Sequence, residues 1–273
     1  LREEYAKDWL WYSMFKLNYD RIFAEKHHIT GLALVEAQAS KNDNFFAYRE
    51  GFISTEVDEM FAGSDENKNN GGGASEGGRM SYVFKLGYGY ENRYLVDFVG
   101  RVDGSARFYK SNRWGFFPGM ALAWRISQEK FMKQTEDWLD NLKLRVSYGT
   151  SGSDNIDASL WRETWKTEQI TVDGEKVTTY VPGDMKGNPD LKWETTISRN
   201  LGVDFGFFNN WVRGSLDYYW NTTKNILMKV PIDAASGYSY QFQNVGKTSN
   251  KGVELALGFD IVRGKDFNLG VNL

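Results

Sequence analysis

The side chains that most often perform catalysis are sparse in this chain of 273 residues. Its two histidines, His27 and His28, are adjacent and point to opposite faces of any strand, so they cannot form a facing pair. The chain has no Cys, which excludes a thiolate metal site and a disulfide framework. No Ser-His-Asp arrangement, zinc-protease motif or phosphate-binding loop is visible. We therefore predict neither an enzyme nor a resident cofactor.

One segment repeats the ligand spacing of a calcium-binding loop. Asp65, Asn67, Asn69 and Glu76 occupy positions one, three, five and twelve of that pattern. Position six is Asn70, where the pattern requires Gly, and no clear apolar helix flanks the segment. We therefore expect a solvated, mobile loop here, with a calcium site as the lesser alternative.

Charged residues alternate with apolar residues along several stretches. Between residues 92 and 103, Val96 and Phe98 share one face of an extended chain, whereas Asp97 and Arg101 share the other. Such alternation suits a sheet with lipid on one face and water on the other. The charged residues that we assign to a polar inner wall, rather than to a glycosidase pair, are Asp97, Arg101, Asp204 and Asp217.

Composition agrees with a membrane-spanning sheet. Aromatic residues make up 16% of the chain, yet its mean hydropathy is −0.54. No run of 18 apolar residues occurs, so the sequence excludes a spanning helix, and only a β-barrel could cross a bilayer. The net charge of −3 gives no electrostatic footprint for nucleic acid. We predict an all-β, antiparallel transmembrane barrel to which this chain contributes about ten strands.

Three turns fix the register of the predicted strands. A tight turn at 91–93 sets Tyr90 opposite Tyr94, and a turn at Asn209–Asn210 sets Phe207 opposite Val212. Asp173 and Gly174 suit a two-residue hairpin turn. Links near residues 24, 91, 127, 209 and 263 are short or of modest length, and those near 40, 104, 150 and 230 are longer. This alternation is typical of outer-membrane barrels, with short periplasmic turns and long extracellular loops.

The long connections carry the candidate binding residues. We expect a first excursion over 40–78, partly helical in its first half, and others over 104–113, 150–193 and 230–248. Rings in these loops could stack on sugars or dock a partner, and packing of each ring on its neighbours is an equal alternative. The rings concerned, which we expect outside the alternating strands, are Trp161, Trp165, Tyr180, Tyr238, Tyr240 and Phe242.

Four blocks of sequence resemble a known family. The first runs from Asn92 to Pro118 and includes NRY, DGSARF and NRWGFFP. The others are NPDLKWE at 188–194, Asn209–Asn210 before a strand ending in DYY at 217–219, and NKGVE at 250–254. Together they resemble the barrels of SusC/RagA-type TonB-dependent transporters, over about residues 79–273.

The resemblance implies more than the residues show. Residues 1–273 would be part of one 22-stranded TonB-dependent receptor barrel in the outer membrane, with the plug domain and signal peptide outside this chain. The family works with a SusD-like surface lipoprotein and the TonB complex, and its cargo is an oligosaccharide or a peptide. We expect that both ends are cut from something longer. Two alternatives are a passive porin or adhesin barrel, and a soluble barrel that binds an apolar ligand inside.

The alternation predicts opposite consequences for one charge placed on neighbouring residues. Phe98→Arg puts a cation into lipid, whereas Asp97→Arg keeps a charge on the watery side, so Phe98→Arg should impair membrane assembly more. The measurement is the amount of folded protein in the outer-membrane fraction. Equal losses would mean that the two faces are assigned wrongly.

Overall fold

The computed structural model describes residues 1–54 and 56–273. Within these residues the chain is almost entirely extended. The strands are β1 Arg2–Phe23, β2 His27–Arg49, β3 Lys68–Tyr90, β4 Tyr94–Ser105, β5 Trp114–Arg125, β6 Leu139–Ser153, β7 Trp165–Val172, β8 Glu175–Pro182, β9 Met185–Lys186, β10 Glu194–Phe207, β11 Val212–Pro231, β12 Tyr240–Arg263 and β13 Asn268–Asn272.

Helical structure is limited to short 3-10 segments in the connections. Their bounds are Met60–Ala62, Lys110–Asn112, Ile126–Gln128, Lys130–Thr135 and Ala234–Ser236. Among the residues described, no helix has the length and apolar character needed to cross a membrane.

Ten strands form one continuous antiparallel sheet. Its order is β1-β2-β3-β4-β5-β6-β10-β11-β12-β13, so each strand pairs with its neighbours in sequence once β7–β9 are set aside. The two-residue strand β9 adds to β12 in parallel, and β7 and β8 form a separate hairpin. The prediction of about ten wall strands and an antiparallel, all-β fold is confirmed.

The sheet has two chemically distinct faces. We call one the ring face, because register aligns Leu86, Phe98 and Met120 across three strands, and aligns Tyr88 with Val96 in the row beside it. Its side chains are solvent-exposed in this structure, with 38% of Phe98 accessible. The opposite, charged face carries the side chains of Lys85, Asp97, Arg101, Arg145 and Asp204, several of which join in ion pairs. The separation of rings and charges onto opposite faces, which the alternation predicts, is therefore present.

Left-handed backbone at the tight turns sets the strand register. Glu91 and Asn92 both have positive φ, and Arg93 donates its backbone N–H to the Tyr90 carbonyl at 2.9 Å. Two positive-φ residues at the centre of such a turn match the right-handed twist of the flanking strands. The predicted pairs Tyr90–Tyr94 and Phe207–Val212 are both present. The hairpin at Asp173–Gly174 is also confirmed.

The connections sort onto two rims. The short-link rim carries links 24–26, 91–93, 126–138, 208–211 and 264–267, and the long-link rim carries 50–67, 106–113, 154–193 and 232–239. Successive links alternate between the two rims as predicted, but the predicted segregation by length is not strict, because link 126–138 has 13 residues whereas links 106–113 and 232–239 have eight each. Two of the predicted loop boundaries are also wrong. The last loop is only eight residues because β12 begins at Tyr240, well before the expected Gly252.

The largest error concerns the first excursion. The prediction of a partly helical, then mobile, segment over 40–78 is wrong, because β2 continues to Arg49 and β3 begins at Lys68. Glycines in β3 make this pairing compact: a Cβ on Gly71 would lie 2.7 Å from the Phe46 ring. The ring covers the glycine from the neighbouring strand, which compensates for its missing side chain. Glycine and asparagine here extend a hairpin rather than interrupt it.

A buried carboxylate ties the short-link rim together. Glu129, 8% exposed, accepts hydrogen bonds from the Tyr94 hydroxyl, from Trp124 Nε1 at 3.0 Å and from Arg93 Nη1 at 3.0 Å. These bonds, led by that from Tyr94, hold the pKa of Glu129 below its ordinary value of 4.5 despite burial. The NRY residues of the first family block therefore anchor the link after β5.

This anchor predicts a pH-dependent stability term in the full-length receptor. Because its folded pKa is lowered, the Glu129 contribution is present at neutral pH and is lost as pH falls through that lowered pKa. Glu129→Gln should lower the unfolding temperature at pH 7, and the difference from wild type should shrink on acidification. Glu136→Gln, on an exposed neighbour, is the matched control. A Glu129→Gln deficit that persists unchanged at low pH would contradict this role.

Candidate functional site

The charged face carries a first group of paired residues near the long-link rim. Arg101 binds both carboxylate oxygens of Asp103 through Nε at 2.7 Å, and its Nη2 lies 2.8 Å from Glu36 and 3.1 Å from the Ser81 hydroxyl. These partners come from three strands, β2, β3 and β4. The guanidinium therefore cross-links three strands of the wall and offsets one of its two carboxylate partners.

A second group lies towards the short-link rim. Arg145 donates from Nε to both oxygens of Asp204 at 2.9 Å, and its Nη2 reaches Asp217 at 3.1 Å. Lys143 adds a longer contact to Asp204 at 3.7 Å. Gly202 permits this arrangement, since a Cβ there would lie 2.4 Å from an Asp217 oxygen. The geometry suits a polar, water-facing surface with balanced charge.

The four wall residues that the sequence singles out fall on this face, but not in one place. Asp97 pairs with Lys85 at 3.1 Å, Arg101 belongs to the first group, and Asp204 and Asp217 belong to the second. Sequence reasoning missed the partner that joins the last two, Arg145. Its alternation with Leu144 and Val146 was the signal that could have identified it.

The structure separates the residues of the calcium-loop pattern. Asp65 contacts Arg49 at 2.9 Å and Lys68 at 3.1 Å, which lower the pKa of this exposed carboxyl. Asn69 and Glu76 both lie in β3, where seven residues of extended chain span roughly 23 Å. They are too far apart to bind one ion. In the described part of the chain, no group of three or more His, Cys, Asp or Glu residues could hold a metal.

Both histidines bond to neighbours on different faces. His27 Nδ1 lies 2.8 Å from the Tyr88 hydroxyl on the ring face, and His28 Nε2 lies 2.9 Å from Asp20 on the other. Neither contact brings a nucleophile to a base.

The long-link rim is covered by an ordered loop layer, formed by residues 106–113, 154–193 and 232–239. Its apolar cluster is the largest buried group in the described chain. Two of its members, Phe108 and Leu191, are fully buried. The cluster consists of Phe108, Phe117, Ile156, Leu160, Met185, Leu191 and Trp193.

Residues from the family blocks interlock in this layer. The Trp193 ring packs on Phe108 and Phe117, with centroids 5.2 and 5.5 Å away, and its Nε1 donates to the Arg113 carbonyl at 3.1 Å. Asn112 of the first block donates to the Pro189 carbonyl of the second at 3.3 Å. The blocks that are separate in sequence therefore form one unit in space.

Polar side chains of the NPDLKWE block tie that unit to β11 and β12. Asn188 donates its amide to the Phe242 carbonyl at 2.7 Å, and Glu194 accepts the Leu227 backbone N–H at 2.8 Å. The Lys192 backbone N–H reaches Asn244 at 3.0 Å. These hydrogen bonds assign the block a structural role.

An ion pair joins the loop layer to β3. Arg79 contacts Asp154, the first residue after β6, and Arg107 donates to the Asp154 carbonyl at 3.1 Å. Burial raises the pKa of Asp154, but hydrogen bonds from Arg79 and Ser105 outweigh it and hold the pKa below the ordinary 3.8. Asp154 is thus ionised at neutral pH and holds the layer against the wall.

The six candidate rings divide into two groups. Tyr240 and Phe242 lie in β12 and pack against the apolar cluster, and Trp161 packs on Tyr109 at 5.3 Å with Arg162 stacked over it at 4.3 Å. Burial and the neighbouring carboxylate of Glu163 raise the pKa of Tyr238. These four rings have neighbours within the chain, as the packing alternative predicts.

The other two rings are open to solvent. Trp165 and Tyr180 lie in the β7–β8 hairpin and are 64% and 74% exposed. Trp165 pairs with Pro182 and Tyr180 pairs with Thr167, so both rings are on the same face of the hairpin as diagonal neighbours. The expectation that all six rings lie outside strands is wrong, since only Trp161 and Tyr238 do.

An antiparallel sheet of strands joined in sequence order, with rings on one face and paired charges on the other, is typical of the wall of an outer-membrane β-barrel. The chain belongs to the TonB-dependent receptor-like β-barrel family, whose model matches residues 12–273. Members of this family are receptors of the outer membrane rather than enzymes.

Curated relatives and solved structures agree with this assignment. A TonB-dependent receptor of Formosa agariphila is 35% identical over 262 residues, covering 94% of this chain and 26% of that protein. The TonB-dependent receptor SusC of Bacteroides thetaiotaomicron is 36% identical over 197 residues, covering 69% and 19%. The RagAB peptide importer in its 'open-open' state superposes with a TM-score of 0.87 at 30% identity, covering 99% and 29%. The chain thus spans about a quarter of the length of these relatives.

The interlocked loop layer predicts a local response to a core substitution in the full-length receptor. Leu191→Ala removes a fully buried side chain, for which about 2–5 kcal/mol is typical, whereas Lys192→Ala truncates an exposed one. We expect Leu191→Ala to raise hydrogen exchange across 154–193 while the β3–β6 wall stays protected. Equal exchange in the two variants would show that the layer does not depend on this cluster.

Proposed function

We propose that this chain forms part of the wall and outer loop layer of an importer that takes up oligosaccharides or peptides through the outer membrane. Import would use a SusD-like lipoprotein as a partner at the long-link rim and energy from the TonB complex. Kinship to SusC and to the RagAB peptide importer supports this proposal. The soluble-barrel alternative does not fit the family.

The observation that carries the proposal is the contrast between the paired wall and the exposed hairpin. Arg145 and Lys143 balance Asp204 and Asp217, and Arg101 offsets one of its two carboxylate partners, so the charged face is polar and has little net charge. Trp165 and Tyr180, in the loop layer at the long-link rim, present rings that are open to solvent. Passage of a polar cargo along such a wall breaks no covalent bond.

The β7–β8 hairpin is held by contacts at its base, and its two faces are mostly exposed to solvent. Gly183 donates its N–H to the Thr164 carbonyl at 2.7 Å, and Lys166 pairs with Asp184 at 3.0 Å. The hydrogen bond from Lys166 to that carboxylate raises the pKa of the lysine. Two rings at fixed spacing suit stacking on a sugar ring or on an apolar side chain of a peptide or of a lipoprotein lid.

The test removes both exposed rings. In the full-length receptor with its lipoprotein, Trp165→Ala/Tyr180→Ala should weaken cargo binding between about fivefold and about 150-fold, since each stacked ring contributes about 0.5–1.5 kcal/mol beyond its buried area. Ile170→Ala/Val177→Ala, a paired couple on the other hairpin face, is the matched control. Binding is measured with labelled oligosaccharides and peptides in parallel.

Two readouts distinguish the roles of the rings. If the double variant binds cargo more weakly but still co-purifies with the lipoprotein, the rings bind cargo. If it binds cargo normally but loses the lipoprotein, the rings bind the lipoprotein lid. A double variant that matches its control in both measurements would refute a role for this hairpin.

A further inference from the structure

A cluster of cations interrupts the ring face near its upper edge. Arg199 of β10 lies between Tyr148 of β6 and Trp220 of β11 in register, with its guanidinium carbon 5.8 and 4.9 Å from the two ring centroids. Lys251 of β12 is directly opposite Trp220. Two basic side chains therefore flank one tryptophan on the face that meets lipid.

The guanidinium of Arg199 has unused hydrogen-bonding capacity. Its Nη1 is shielded from solvent and has no hydrogen-bond partner within residues 1–54 and 56–273. The adjacent Trp220 uses its Nε1 to donate to the Ser249 hydroxyl at 3.0 Å, so it does not compete for the same acceptor. Because Nη1 is enclosed, a ligand from the membrane would reach the guanidinium through its other N–H groups, for which the described residues also supply no acceptor.

Two further lysines extend the cluster towards the long-link rim. Lys224 and Lys247 are directly opposite each other on β11 and β12, each four positions from Trp220 and Lys251, respectively. Strand alternation puts all of these side chains on the same face. Like charges in direct opposition destabilise a sheet, and both lysines are exposed. None of the four cations has an ion-pair partner among the described residues.

The ring face of these strands holds no compensating acid. From Leu142 to Thr150 on β6, and at the paired positions of β10, β11 and β12, the outward residues include no Asp or Glu. On β2 and β3 the arrangement differs, because Lys41 contacts Asp43 and Glu76, each at 3.7 Å. The excess of positive charge is thus local to β10–β12.

The height of the cluster matches a headgroup region. Between Phe207 at the short-link rim and Arg199, the strand extends roughly 26 Å, which becomes roughly 20 Å along the membrane normal at a usual tilt of about 40°. The apolar band of such barrels is about 25 Å tall. Arg199 and Lys251 therefore lie at its upper edge, and Lys224 and Lys247 lie just beyond it.

We propose that Arg199, Lys224, Lys247 and Lys251 bind the phosphate groups of a phosphorylated lipid of the outer leaflet. The acyl chains of that lipid would lie on Tyr218, Val253 and Leu255 below the cations. Arg199 is suited to a bidentate contact with one phosphate, and the lysines hold a compact second charge. Clusters of basic residues at a membrane edge attract anionic headgroups in this way.

The test uses the full-length receptor in nanodiscs of neutral phosphatidylcholine that contain a trace of labelled, phosphorylated lipid A. Arg199→Gln/Lys251→Gln should retain this lipid about tenfold less than wild type, and the quadruple variant with Lys224→Gln and Lys247→Gln should retain still less. Lys7→Gln/Lys41→Gln removes two outward cations from β1 and β2 and should leave retention unchanged. Correct folding of each variant is established by its resistance to unfolding in detergent.

Changing the chemical form of the probe distinguishes a phosphorylated lipid from other ligands at this site. Lipid A without phosphates should not be enriched, and inorganic phosphate at the same concentration should not displace the phosphorylated lipid. Equal retention of the dephosphorylated lipid, full displacement by inorganic phosphate, or unchanged retention in the folded quadruple variant would each overturn the proposal.

Discussion

The structure depends on pairing the backbone polar groups of every strand that crosses the bilayer. An unpaired N–H or C=O in hydrocarbon costs several kcal/mol, so the wall must be a continuous sheet. The ladder from β1 to β13 meets this requirement through ten strands. Once that ladder exists, successive side chains alternate between two solvents, and the division into ring face and charged face follows. The ion pairs at Arg101 and Arg145 then make the charged face polar without adding a large net charge.

Residues of the family blocks connect strands and loops to one another, which gives them a structural role rather than a binding role. NRY anchors the short-link rim through Glu129, and NPDLKWE joins the loop layer to β11 and β12 through Asn188 and Glu194. Trp193 connects two blocks through its ring and its indole N–H. These contacts are made within the chain, whereas the rings of Trp165 and Tyr180 are open to solvent.

Sequence alone predicts the wall where alternation and turn chemistry agree. Tyr90–Tyr94, Phe207–Val212 and the Asp173–Gly174 hairpin are each specified by a short turn and matching faces on both sides. The extension of β2 and β3 beyond Gln38 could not be read in this way. Gly71 is covered by Phe46 from the neighbouring strand, so its propensity for loops is overridden by a cross-strand contact that no local pattern reveals. The ion pairs of Arg145 with Asp204 and Asp217 likewise depend on the register between β6, β10 and β11. The packing of Tyr240 and Phe242 against the apolar cluster depends on contacts between residues that are still farther apart in the sequence.

The central claim is that the two faces meet different solvents, and cysteine scanning along β4 tests it most directly. The chain has no Cys, so single substitutions from Val96 to Val102 in a cysteine-free full-length receptor can carry a fluorophore at one position each. In bilayers that contain brominated lipid, positions 96, 98, 100 and 102 should be quenched, while 97, 99 and 101 should respond to an aqueous quencher. Quenching without this period of two, or with the opposite phase, would contradict the account.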